Sequence, residues 1–231
     1  MIANVRPKRQ VFPDAPPFEF GDNLTPAEFV RRWDLHPEIK TAELIRGIAY
    51  VVPHTTVDHG DTHADVGGWL GTYRIATKGI ESGSRTSLFL GDDILQPDVH
   101  MRVVSGGMTW IKDGFLYGPP ELVAEICYSG ASHDLHIKYD LYEAAGVQEY
   151  FAFLIYEQEI RWHILIDGRY QILAPDADGI LRSRVFPGLW LDGQALLKRD
   201  MPKVLAVLQS GLASPEHQAF VEQLAKKRTA K

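Results

Sequence analysis

Asp98 follows Gln96-Pro97 at the start of one β-like run, and Glu125 sits inside another, Leu122-Val123-Ala124-Glu125-Ile126-Cys127. Strand side chains alternate, so Val123, Glu125 and Cys127 share one face and Leu122, Ala124 and Ile126 the other. An acid in the middle of such a run is buried or nearly so, and a buried carboxylate needs a partner. Two carboxylates converging from adjacent strands make a hard-oxygen site suited to magnesium or manganese. The same residues also have a structural reading: Asp98 caps the turn after Pro97, and Glu125 pairs with a lysine or arginine. The next helix bears on that choice. Asp134, Lys138 and Tyr142 recur every four residues and line one side. The predicted apolar stripe is Ile137, Leu141, Ala144 and Ala145, with Asp134 within its margin and Lys138 just beside it, both toward the sheet. A surface Asp134–Lys138 pair would contribute only about 0.3–0.5 kcal/mol, and the register favours a site.

Phosphodiester hydrolysis needs an activated water and relief of the charge building on the phosphoryl oxygens. A carboxylate-bound metal supplies both, and an adjacent amine can orient the water or take its proton. Asp98, Glu125 and Lys138 form such a set. Glu43, alternating with apolar neighbours in Ala42-Glu43-Leu44-Ile45, is a candidate third carboxylate. His59 and His63 are four apart near a helix start, a spacing that can bind zinc. With no further ligand motif beside them, His59 aimed at a phosphate or a metal-bound water is the better reading, against a capping or surface role. His54, His100, His133 and His136 form no pattern. Cys127 reads as a small strand residue, since no base for a nucleophile neighbours it in sequence.

These side chains must be positioned by a mixed sheet flanked by helices, the α/β or α+β class. Thr25-Pro26-Ala27-Glu28 predicts a helix with Thr25 as N-cap and Glu28 closing a capping box, running to about Trp33. Ala42–Ile45 and Ile48–Val52 predict a hairpin turning at Arg46-Gly47 and ending at Pro53. Val66, Trp69, Leu70 and Tyr73 have helical spacing over 56–75, and close packing would account for Gly67, Gly68 and Gly71. Short strands follow at Ser87–Leu90, Pro97–Val103 and Leu122–Cys127, with an irregular loop over 105–120. A helix over Ser132–Ala145 ends at Gly146. Glu149–Tyr156, Ile160–Ile166 and Tyr170–Leu173 close as an antiparallel meander, and Pro202–Leu212 and Pro215–Lys227 are helical. The organisation is a Pro-rich arm (1–23), a main domain (24–200) and a helical extension (201–231) with a frayed basic end.

The chain has 231 residues, 45% apolar and 23% charged, with a formal charge of −6. That is an ordinary globular composition, without the basic surplus of a broad nucleic-acid binder. Candidate rim cations are Arg74, Lys78, Arg85, Arg102 and Lys112. No apolar stretch predicts a membrane span or a signal peptide, and the lone Cys127 fits a reducing cytoplasm.

In order along the chain come Glu43-Leu44-Ile45-x-Gly47, His59, Gln96-Pro97-Asp98, Leu122-Val123-x-Glu125-Ile126, Asp134-x-x-x-Lys138-x-x-x-Tyr142, Gly146-Val147-x-Glu149-Tyr150 and Phe186-Pro187-Gly188-Leu189. The series resembles the Uma-two family of bacterial proteins described as restriction endonucleases, a branch of the PD-(D/E)XK nuclease superfamily. The resemblance implies a restriction-endonuclease-like core, a metal (Mg2+ or Mn2+) bound by Asp98 and Glu125, and Glu43, His59 and Lys138 completing the site. The superfamily lysine usually follows the acid by two positions. Here that position is Cys127, and the resemblance implies that the amine comes from the next helix as Lys138. Departures at Arg46, Ile48, Ser129–Ser132 and Phe151-Ala152-Phe153 lie outside the metal set and bear on substrate contacts. The expected activity is a metal-dependent DNA endonuclease. The alternatives are a catalytically silent module binding nucleic acid or a partner protein, and a hydrolase of another phosphate ester. Cutting both strands suits a homodimer, which the arm could mediate.

Overall fold

A computed structural model describes residues 15–51, 56–128 and 133–229, with side chains described from 136 onward in the last span. Residues 1–14 of the arm, Pro53, His54 and the side chains of His133 and Asp134 therefore lie outside the described residues. The elements in chain order are α1 (Pro26–Leu35), β1 (Ala42–Ile45), β2 (Ile48–Val51), α2 (Val57–Ala76), β3 (Ile80–Ser84), β4 (Leu88–Leu90), β5 (Asp93–Leu95), β6 (Val99–Val103), β7 (Trp110–Lys112), β8 (Phe115–Tyr117), β9 (Leu122–Cys127), α3 (His133–Ala145), β10 (Glu149–Leu154), β11 (Glu159–Ile166), β12 (Arg169–Ile172), β13 (Ile180–Arg182), β14 (Trp190–Asp192), α4 (Gly193–Leu197), α5 (Met201–Leu212) and α6 (Pro215–Thr229). They fall into two compact units, one of Met1–Pro53 with Asp92–Leu95 and one of His54–Gly91 with Gln96–Lys231.

In the first unit, the Thr25 hydroxyl accepts from the Glu28 N–H and Pro26 opens α1, as the sequence predicts. The Glu28 carboxylate, however, is drawn to Arg31 and Arg32 at 2.8 and 2.7 Å. Two guanidiniums offer a charged carboxylate stronger partners than one backbone N–H. β1 pairs antiparallel with β2 and with β5. Arg46 and Gly47 turn the hairpin with φ of 51° and 79°, the left-handed pair a two-residue turn requires.

In the second unit a six-stranded mixed sheet has the order β12-β11-β10-β9-β6-β3. β9 and β10 are parallel, and the other neighbours are antiparallel. Alternation gives the sheet two unlike faces. Val99, Met101, Leu122, Ala124, Ile126, Phe151, Phe153 and Trp162 belong to one core with Trp69 and Tyr73 of α2, Val204 and Leu208 of α5, and Leu224 of α6. The opposite face carries Glu125 and Tyr150 and is covered by α3. The mixed sheet between helices is the predicted class.

Several expectations change. The loop predicted over 105–120 contains the β7–β8 hairpin, turning at Asp113-Gly114 with φ of 52° and 84°. The Asp-Gly pair between apolar runs was the available signal. α6 holds to Thr229 instead of fraying, and its last turn carries Lys226, Lys227 and Arg228, cations that complement the helix C-terminus. On α3 the buried side is Tyr142 with Lys138 beside it, while Ile137 and Leu141 are half-buried and Ala144 is exposed. A buried carboxylate on the sheet gives those polar groups a partner, which outweighs the apolar stripe.

Gly67, Gly68 and Gly71 meet nothing within 4 Å of an added Cβ, so close packing does not account for them. Gly68 is exposed on α2. Gly68→Ala should therefore stabilise the protein by about 0.8–1 kcal/mol, read as a raised urea midpoint. No helix among the described residues is long and apolar enough to cross a membrane.

Candidate active site

β6 and β9 run antiparallel with Val99 opposite Ala124. One step further along that ladder brings Asp98 opposite Glu125. Directly opposed residues of an antiparallel pair point to the same side. The two acids are 8% and 5% exposed. Asp98 Oδ2 accepts a 2.9 Å bond from the Ile126 N–H, which ties the two strands at the acid pair. Across the face, the Tyr142 hydroxyl donates to Glu125 Oε1 at 2.7 Å and Lys138 Nζ donates to the same oxygen at 3.3 Å. Residues four apart on a helix lie one above the other, so one turn of α3 presents both donors to one carboxylate.

His59, in the first turn of α2, brings Nε2 to 3.5 Å from Asp98 Oδ2. Its Nδ1 is buried without a partner among the described groups. His63 acts differently: its Nε2–H donates to the Asp98 carbonyl oxygen at 2.9 Å, with Ser84 Oγ at 3.0 Å from the same nitrogen. The two imidazoles are stacked 6.5 Å apart. His63 thus braces the backbone at Asp98, a role the sequence reading missed although the four-residue spacing marked the pair.

Of the rim cations, Arg85 reaches Asp98, with Nε 4.0 Å from Oδ1. Its backbone is left-handed, φ 49°, and its N–H bonds the Pro97 carbonyl. Arg74 turns instead to Glu81 at 2.8 Å. Glu43 is buried in β1 of the first unit, in register with Tyr50. Cys127 ends β9, half-buried. Among the described residues no three His, Cys, Asp or Glu side chains stand together as a metal-ligand set.

Electrostatics sort these groups. Burial pushes the Asp98 carboxyl up, but His59, the Ile126 N–H and the Lys138 ammonium outweigh it and hold it below the ordinary carboxylate value. His100, buried beside Arg102, is held down to about 4 and is neutral at pH 7. Burial, with Cys127 and Glu125 nearby, raises the Tyr150 hydroxyl well above its usual value, so it keeps its proton. That face holds two buried acids, neutral His100, protonated Tyr150 and the Lys138 ammonium, with the Arg85 guanidinium 4.0 Å from Asp98. Tyr142→Phe removes a bond to a charged acceptor and should cost about 1.5–3 kcal/mol of stability, measured by denaturant unfolding without metal.

The fold is shared with a solved structure described as "a putative nuclease belonging to DUF820" from Anabaena variabilis. The match has a TM-score of 0.57 and 14% identity, and covers 80% of this chain and 99% of that one. No curated protein matches the chain. The model of the Uma2 family, described as "Putative restriction endonuclease", matches residues 26–194. That span is well over half of the 231 residues and contains Glu43, His59, Asp98, Glu125 and Lys138, and the chain belongs to the Uma2 family.

Proposed function

We propose that this chain is a metal-dependent endonuclease hydrolysing phosphodiester bonds of DNA. In this reading Asp98 and Glu125 hold a magnesium or manganese ion and Lys138 is the base. The observation that carries it is the meeting of two buried acids from neighbouring strands with one amine, Nζ standing 3.3 Å from Glu125 Oε1.

The donor set fits such an ion. Carboxylate oxygens are hard ligands, and magnesium commonly takes one or two of them with water and substrate phosphate in its other positions. When bound, the ion would acidify water and offset charge on the phosphoryl group. The chain's own residues have separate tasks. Asp98 stays ionised through the Ile126 N–H and its cationic neighbours. Tyr142 fixes the Glu125 carboxylate. Lys138 Nζ holds the attacking water and, in its neutral form, takes a proton from it. His59 Nε2 meets the phosphate or that water.

The nuclease-like body is proposed to span 24–200, with 1–23 as an arm and 201–231 as a helical extension packed on its core through Val204, Leu208 and Leu224. Two copies would pair to cut both strands, and the lone Cys127 suits the cytoplasm. Manganese calorimetry and nicking of supercoiled DNA test the reading: the protein should bind manganese and nick only in its presence. DNA binding without cleavage under any metal would favour the silent module instead, and no response to metal or DNA would reject both.

A further inference from the structure

A row of rings leads outward from Asp98. His59 lies 3.5 Å from the Asp98 carboxylate. The Tyr128 ring lies 6.0 Å from that of His59, and the Tyr156 ring lies 5.9 Å from Tyr128. Two elements hold the row in place. The Tyr128 hydroxyl is bonded to Thr56 Oγ1, the N-cap of α2. The Tyr156 N–H donates to the Tyr128 carbonyl at 2.9 Å, extending the parallel pairing of β9 and β10 beyond their ends. The outermost ring is left 75% exposed, and Val57, next to Thr56, is 77% exposed.

Around these two side chains the exposed neighbours are Asp58, Glu157, Gln158 and Glu159, where a reader of duplex backbone would carry cations. Affinity for a duplex comes mainly from phosphate neutralisation and counterion release, and a chain of charge −6 is poorly equipped for it. Two basic side chains of this unit are already matched, Arg74 by Glu81 and Arg161 by Glu159. Aromatic rings bind nucleic acid another way, by stacking on the face of a base, and any base serves. Inside a duplex those faces are covered by neighbouring pairs and only edges are open in the grooves. Along a continuous duplex Tyr156 therefore finds no open base face, whereas an unpaired base offers one.

We propose that Tyr156, supported by Tyr128, is a stacking subsite for an unpaired base, so that the substrate enters the Asp98–Glu125 centre as a single-stranded segment. The inference rests on the reading of that centre as a phosphodiester site. It names the substrate class: tails, gaps and melted regions, such as those of negatively supercoiled DNA, over continuous relaxed duplex.

The test is fluorescence anisotropy in EDTA, where no cleavage intervenes, with a labelled oligonucleotide offered as a single strand and as the matching duplex. The full-length chain should bind the single strand more tightly. Tyr156→Ala should weaken that binding roughly 5- to 150-fold, the equivalent of one stacked base, and leave duplex binding unchanged. Tyr156→Trp should restore it. A preference for duplex, no measurable affinity for the single strand, or an unchanged single-strand Kd in Tyr156→Ala overturns the proposal. The two readings fail separately. Tyr156-dependent binding without metal-dependent nicking would leave the subsite standing and remove the nuclease. Nicking with no role for Tyr156 would do the reverse.

Discussion

Asp98→Asn is expected to abolish manganese binding and DNA nicking together while leaving the fold intact. The substitution keeps shape and an amide oxygen that can still accept the Ile126 N–H across the 2.9 Å contact. What it removes is the charge that His59 and Lys138 stabilise. Loss of a group that merely orients a metal ligand costs 10–100-fold in affinity, so loss of one of two carboxylate ligands should exceed about 100-fold. Isothermal titration with manganese reads the binding, and circular dichroism confirms that the chain is folded. Manganese bound by Asp98→Asn as tightly as by wild type would place the metal elsewhere and remove the centre from the proposal.

Lys138→Met separates chemistry from binding. Nicking should fall by about 10²–10⁴-fold, the range for a lost general base. Manganese should bind at least as tightly as before, because the ammonium 3.3 Å from Glu125 Oε1 competes with the cation for that carboxylate. Without metal the variant should be less stable, by about 3–5 kcal/mol, since Glu125 stays buried with its charge less compensated. Manganese should recover much of that loss, because a ligand bound by the folded state alone stabilises it. Three measurements thus move in different directions, and a purely structural ion pair would not reproduce them. Unchanged nicking in a folded Lys138→Met would end the role of Lys138 as base.

Part of this was legible one residue at a time. Thr25-Pro26 announces α1 because a hydroxyl at the N-cap and a proline at the first helical position answer local needs of any helix. Arg46-Gly47 announces the β1–β2 hairpin because the turn demands positive φ at both positions. The same rule applied to Asp113-Gly114 would have found β7 and β8. Glu125 in an apolar run was legible as a buried acid, because alternation alone assigns its face. The glycines of α2 show the limit: composition suggested a close approach, and no neighbour stands there.

By itself, the chain's order of residues determined the identity of the two acids, the amine on the following helix and the mixed α/β class, since these follow from short periodicities and turn chemistry. The tertiary structure decided the rest. It set Asp98 one ladder step from Val99 and opposite Glu125, gave Tyr142 and Lys138 the same carboxylate oxygen, and turned His63 to the Asp98 backbone. Those arrangements depend on strand register and on which face of α3 meets the sheet. Both are settled by long-range burial, because a buried charge recruits whatever partner the packing brings within reach, and no local sequence rule contains that distance.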